Sequence, residues 1–244
     1  MGALPPFKLV VRDVTAPDEL SLCVRLYEEV FRLGPGDGSL NTRLLVGMVR
    51  NSGIVVGAFD GTEMIGFALS FLAFDRAQQL MYQYSQLAVV AEKAQGLGVG
   101  RQLKEAQRDA AQAMGISTMR WSFDPFKVRN AHFNLNVLGA QAFTLERNLY
   151  GTHAHGLDVE EATDRLIAVW DLTDGRTVAK VTDVSKALVM PAAWSRQPDE
   201  QERRRREEIL VAFDDIFAEG FVAVSCDLES DEQAVYSFEM LGAP

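Results

Sequence analysis

Residues 82–114 read YQYSQLAVVAEKAQGLGVGRQLKEAQRDAAQAM, and this stretch decides the fold. From Met81 to Val90 it is rich in aromatic and β-branched residues, which predicts a strand. Further on, Leu103, Ala106, Ala110 and Ala113 recur at helical spacing and predict one apolar helix face. Between them lies Gln95-Gly96-Leu97-Gly98-Val99-Gly100-Arg101. Glycines at alternate positions permit positive φ and remove side chains that would keep a ligand from the backbone. The loop N–H groups and the positive end of the following helix form an anion site suited to a pyrophosphate. Arg101 and Lys104 add positive charge in the first helical turn.

Two familiar glycine loops do not fit. A dinucleotide fold requires G-x-G-x-x-G, whereas the spacing here is G-x-G-x-G; a P-loop ends in Gly-Lys-Ser/Thr, and Gly100-Arg101-Gln102 does not. Gln95, Gly98 and Gly100, after a strand ending Leu87-Ala88-Val89-Val90, match Q/R-x-x-G-x-G/A in register. The segment thus resembles motif A of the GNAT superfamily of N-acetyltransferases, over residues 7–172 of the chain. The resemblance implies an α/β (α+β) fold, with a mixed, mostly antiparallel central sheet flanked by helices. It also implies acetyl-CoA or another acyl-CoA as cofactor, with coenzyme A as product.

Composition narrows the partners. The chain has 244 residues, nearly half of them apolar, enough for a large core. A formal charge of −10 argues against non-specific nucleic-acid binding, so any basic patch is local, around Lys93, Arg101, Lys104 and Arg108. Cys23 and Cys226 make neither a disulfide framework nor a zinc set and read as small buried hydrophobes. The N-terminal MGALPPFKLVVRD does not read as a signal peptide, and no apolar run is long enough to span a bilayer. A cytoplasmic protein is expected.

In chain order, Lys8 to Val14 predicts a strand, then a helix with Thr15 as cap, Pro17 in the first turn, and Leu20, Val24, Tyr27 and Phe31 facing inward. Gly34 to Gly38 is a loop, and a second helix runs from Leu40 to Arg50. Ile54–Phe59 and Glu63–Phe74 form a hairpin about Asp60-Gly61. Beyond the central helix, Ile116–Phe123 is a strand ended by Asp124-Pro125, and Arg129–Leu138 a helix stopped by Gly139. Ala142–Tyr150 and Leu166–Leu172 are strands separated by the polar stretch Gly151–Arg165.

Residues 1–172 would form the acyltransferase domain, and 173–244 a C-terminal β-α-β-β extension beyond the superfamily core. Its elements are a strand (Lys186–Met190), a helix (Pro198–Ala218) and two strands (Phe221–Leu228, Ala234–Met240). Ile209, Leu210, Phe213, Ile216 and Phe217 give the helix an apolar face that needs a cover. The cover is the core or a second subunit, which would make a homodimer. Arg203 to Arg206 sit among Glu200, Glu202, Glu207 and Glu208; pairs Glu202–Arg206 and Arg203–Glu207 read as a solvated helix face rather than a polyanion site.

Carried over by register, the resemblance implies that the N–H of Leu87, at a bulge in the central strand, faces the thioester carbonyl. Val89, Val90 and Ala91 would hold pantetheine, and Gln95, Gly96, Leu97, Gly98, Val99, Gly100 and Arg101 the pyrophosphate. Asn130 would meet the cofactor arm. The link from Val90 to Gln95 is one residue longer than usual. Proton handling does not carry over: Leu135 stands where many members have a tyrosine acid, and Gln83 where some have a glutamate base. Tyr84, Ser85 and His132 are the substitutes; a tyrosine can protonate a thiolate and a histidine accept from an ammonium. Tyr84 read blandly is a strand aromatic, and His132 a helix-surface or core histidine.

His153-Ala154-His155 resembles part of a metal site, but the spacing of Asp158, Glu160 and Glu161 completes no set, so no metal is expected. Trp121–Pro125, Asn130–Asn134, Leu138–Ala140 and Asn148–Gly151 also resemble a GNAT branch linked to N-acylamino acids, with succinyl-CoA as a donor. The expected function is N-acylation of a small-molecule amine, an amino acid among the options. The alternative is a non-catalytic acyl-CoA sensor.

Overall fold

A computed structural model describes residues 8–34, 40–151, 162–173, 186–195 and 198–240. The loop residues Pro35 to Gly38, the His153–His155 fragment, and Asp158, Glu160 and Glu161 lie outside them. The described residues up to Met119 form one compact unit, and those from Arg120 onward a second.

The first unit begins with β1 (Leu9–Asp13), α1 (Pro17–Phe31) and α2 (Thr42–Arg50). It continues through β2 (Ile54–Asp60), β3 (Glu63–Asp75) and β4 (Leu80–Val90) to α3 (Val99–Ala113). The strands lie in the order β1-β2-β3-β4, each antiparallel to its neighbour. Pro17 opens α1 as expected, but the residue at the cap is Ala16, and among the described residues no side chain caps this helix. Thr15 is therefore not the cap. Asn41 does cap α2, accepting from the Arg43 N–H at 2.8 Å.

Alternation along β3 sends neighbouring residues to opposite faces. Phe67 joins the core under α1 and α2 with Val14, Leu20, Cys23, Leu45 and Val89. Gly66 faces α3: a Cβ there would sit 3.1 Å from Leu103 Cδ1 and Val99 Cγ1, so the missing side chain sets how closely the helix approaches. The buried stripe of α3 is not the predicted one. Val99, Leu103, Lys104, Gln107 and Ala111 are buried, whereas Ala113 is exposed.

β5 (Thr118–Phe123) begins at the last residues of the first unit; from Arg120 it belongs to the second, with α4 (Val128–His132), β6 (Gln141–Glu146), β7 (Arg165–Asp171) and β8 (Lys186–Pro191). The second unit ends with α5 (Glu200–Ala218), β9 (Phe221–Leu228) and β10 (Gln233–Met240), in the strand order β5-β7-β6-β9-β10-β8. The helix predicted over 129–138 is α-helical only to His132 and then widens into a π turn, Phe133–Val137. Gly139 ends it at φ 74°.

The extension adds strands to this sheet: β9 pairs antiparallel with β6 at Ala142–Ala223 and with β10 along its length. Above them Phe213 of α5 meets the rings of Tyr236 and Phe238 edge-on, at 4.9 and 5.8 Å. Tyr236 is fully buried, and its hydroxyl donates to the Pro125 carbonyl at 2.8 Å. The arginine run lies on α5 with the Glu202–Arg206 pair at 3.1 Å, while Glu207 is engaged by Arg147.

Candidate acyl-coenzyme A site

The anion-binding geometry starts at the end of β4. A 3-10 turn, Glu92–Ala94, leads into Gln95, whose side-chain Nε2 donates back to the Val90 carbonyl at 3.1 Å and ties the loop to the strand. Gly96 and Gly98 take φ 76° and 80°, left-handed conformations that favour glycine. A Cβ at either would meet no described atom within 4 Å, so both open onto free space. Gly98 is also the N-cap of α3, and among the described residues no side chain caps this end. The first-turn N–H groups of Val99, Gly100 and Arg101 are those a helix leaves unbonded to its own carbonyls. An uncapped helix start behind two bare glycines fits a phosphate-bearing ligand.

The side chains around it are spoken for. Val99 is buried, so only its backbone can face a ligand. Leu97 is half-exposed. Arg101 pairs with Glu105 at 3.0 Å, Lys93 with Glu63 at 2.5 Å, and Arg108 with Asp109 at 2.7 Å. Lys104 does not serve the loop: it is 4 % exposed and turned inward, its Nζ 2.8 Å from Ser85 Oγ. Burial lowers its ammonium to about 7. The expected basic patch is thus largely paired or buried. Beside the loop a cleft of about 430 Å³ is lined by Glu29, Glu63, Glu92, Lys93 and Ala91.

The β4 bulge lies where the central strand passes from Ser85 to Leu87. Leu69 pairs with Leu87 and Ser70 with Ser85, so Gln86 is the extra residue. A bulge turns local backbone groups out of the ladder. Leu87 is half-buried against the core under α1, and Val89 is buried there. Ala91 is more constrained: its N–H donates to Ile65 O and its carbonyl accepts from the Ala94 N–H, leaving one carbonyl lone pair for a ligand.

Tyr84 is half-buried on β4, its ring 5.5 Å from that of Phe71. Gln83 is fully buried and donates to Ser70 Oγ at 3.0 Å. Leu135 is 1 % exposed. In the second unit Asn130 is exposed on α4. His132 Nδ1 lies 2.9 Å from the Cys226 carbonyl, which can only accept, so Nδ1 carries the hydrogen of this bond. Asp227 Oδ1 is 3.5 Å away. Asn136, unremarked in the sequence, accepts from the Cys226 N–H and donates to Asp227, both at 2.9 Å. Residues 84–101 belong to the first unit, Asn130 and His132 to the second. Among the described residues no cluster of His, Cys, Asp and Glu is arranged to hold a metal ion, and no helix is long and apolar enough to cross a membrane.

No protein-family profile matches the sequence, and no curated protein matches it. Solved structures do. The ribosomal-protein-S18-alanine N-acetyltransferase of Escherichia coli superposes with a TM-score of 0.53 at 16% identity, over 69% of this chain and 97% of that one. The Salmonella typhimurium protein yncA with its cofactor acetyl-CoA gives 0.53 at 14%, over 69% and 96%. An N-acetyltransferase from Staphylococcus aureus Mu50 gives 0.53 at 15%, over 68% and 99%. The agreement covers nearly the whole of those chains and about two thirds of this one, and with it the chain has the fold of the GNAT superfamily of N-acetyltransferases.

Proposed function

We propose that the protein is an acyl-CoA-dependent N-acyltransferase, transferring an acetyl or succinyl group to a small-molecule amine such as an amino acid. One observation carries this reading: the bulge at Gln86 is followed on the same unit by the bare Gly96–Gly98 turn and the uncapped start of α3. The donor supplies an activated thioester carbonyl. Gly96 to Arg101 hold its pyrophosphate through backbone N–H groups, and Val89 to Ala91 its pantetheine arm. Leu87 directs its N–H at the carbonyl oxygen, where negative charge grows as the amine attacks. The C–N bond forms as the C–S bond breaks; Tyr84 gives a proton to the departing thiolate, and the amine passes one to solvent water. Residues 1–172 carry the transfer, and 173–244 complete the sheet on which α4 rests.

The test is thermal unfolding with acetyl-CoA, succinyl-CoA and free CoA, followed by CoA release across amines and amino acids. Saturation at about 100 times Kd adds roughly 2.7 kcal/mol, a clear rise in Tm. Unchanged melting with all three ligands overturns the reading. The sensor alternative is favoured by Gln83 and Leu135, both buried at the two positions where the family resemblance implies acid–base side chains. Sustained CoA release with any acceptor excludes it; binding without release supports it.

A further inference from the structure

Ser70, Gln83, Ser85, Lys104 and Gln107 meet beneath the bulge, inside the first unit, and each is at most 4 % exposed. Lys104 Nζ donates to Ser85 Oγ at 2.8 Å, and Ser85 Oγ donates onward to Gln107 Oε1 at 2.9 Å. Gln83 Nε2 donates to Ser70 Oγ at 3.0 Å, and Ser70 is the cross-strand partner of Ser85. Ser85 immediately precedes the extra residue Gln86.

Burying a lysine and two glutamines under a helix is costly when apolar residues would fit. They do fit on this stripe, for Leu103 and Ala111 occupy the same face. Nor is the cluster a saturated network: among the described residues Gln83 Oε1 and Gln107 Nε2 have no hydrogen-bond partner. Stability alone does not explain such a set; direction does. An apolar contact would let the strand slide, whereas two bonds on one hydroxyl fix Ser85 in space.

We propose that Lys104, acting through Ser85, is a positioning residue that holds the Gln86 bulge and so aims the Leu87 N–H. The inference rests on the acyl-transfer reading above. Gln107 locks the Ser85 hydroxyl hydrogen from the other side. Lys104 touches neither donor nor acceptor; it acts on the backbone that does.

The experiment compares wild type, Lys104→Met and Ser85→Ala by calorimetry, steady-state kinetics and amide hydrogen exchange. Acyl-CoA affinity stays within about twofold, because the pyrophosphate loop is untouched, while kcat falls by about tenfold or more. Exchange at the Gln86 and Leu87 amides accelerates about tenfold and that at Val89 does not. The double variant loses no more than the worse single one, as expected of residues acting as a unit. Unchanged exchange at Gln86 and Leu87 in folded Lys104→Met overturns the clamp whatever the activity. Faster exchange with kcat within twofold of wild type overturns its role in the reaction. Should wild type itself release no CoA, the acyl-transfer reading fails, and the exchange data still decide the clamp. If Lys104→Met does not fold, Ser85→Ala carries both readouts.

Discussion

α3 lays Lys104 and Gln107 against Ser85 of β4, whereas α5 lays Phe213 against Tyr236 and Phe238 of β10. Each helix covers a strand in its own unit, with opposite chemistry. The aromatic contact is non-directional and stabilises by area removed from water. The polar contact sacrifices some of that stabilisation for bonds that point one way. On the clamp proposed above, β10 is scaffold and β4 the strand whose atoms are held in place.

The scaffold side carries the largest expected effect. Phe213→Ala empties a site with 0 % exposure and should destabilise the second unit by about 3–5 kcal/mol in denaturant unfolding. A loss under about 1 kcal/mol would show the ring cluster to be loosely packed and would erase the contrast.

On the other side, Gly98→Val places a β-branched side chain at φ 80°, over the start of α3. Acyl-CoA affinity should fall about 100-fold, near 2.7 kcal/mol, by calorimetry on the folded variant. Wild-type affinity there would remove the glycine turn from the site.

A pH series sharpens the comparison further. Burial lowers Lys104 from an ordinary value of 10.5 to about 7 in the folded protein. Between those values the unfolded chain holds a proton that the folded chain lacks, so stability rises with pH and the penalty is complete below about 7. The stability difference, wild type minus Lys104→Met, should grow in favour of wild type by roughly 2 kcal/mol from pH 7 to pH 9. Taking the difference cancels Cys23 and Cys226, whose thiols burial pushes up to about 12. A flat difference would mean that Lys104 keeps its proton through hydration.

The smallest effect belongs to Arg101, whose side chain is half-exposed and paired to Glu105. Arg101→Ala should weaken acyl-CoA binding by about threefold and flatten its salt dependence. A loss near that of Gly98→Val would shift the weight of phosphate binding from backbone to side chain.

The same contrast explains what the sequence revealed. Strand, glycine loop and helix were legible because local pattern and backbone freedom fix them; so were the extension's elements, whose large apolar residues mark their own buried faces. The inward face of α3 was not. Its apolar spacing picks out Ala106, Ala110 and Ala113, which are not the buried residues of the stripe, and Lys104 reads as a cation for the glycine loop; Ser85, which accepts from Lys104 and donates to Gln107, lies on a different element. Tertiary hydrogen bonding overrode the local pattern. His132 posed the same difficulty at longer range, since its partner carbonyl comes from Cys226 and its neighbour Asn136 bonds the same strand. The π turn was hidden because its composition is that of an α-helix.

The pairing of Ala142 with Ala223 also governs how the chain is made. At a ribosome adding about 5–20 residues per second, β6 waits roughly 5–15 s for the strand that covers its edge. The first unit is built from neighbours in sequence and can close while the second is still being synthesised. During that interval β6 is an open strand edge, the kind of template on which unfinished chains stick to one another. The nascent protein is most exposed to aggregation after its glycine loop has formed and before its last two strands have arrived.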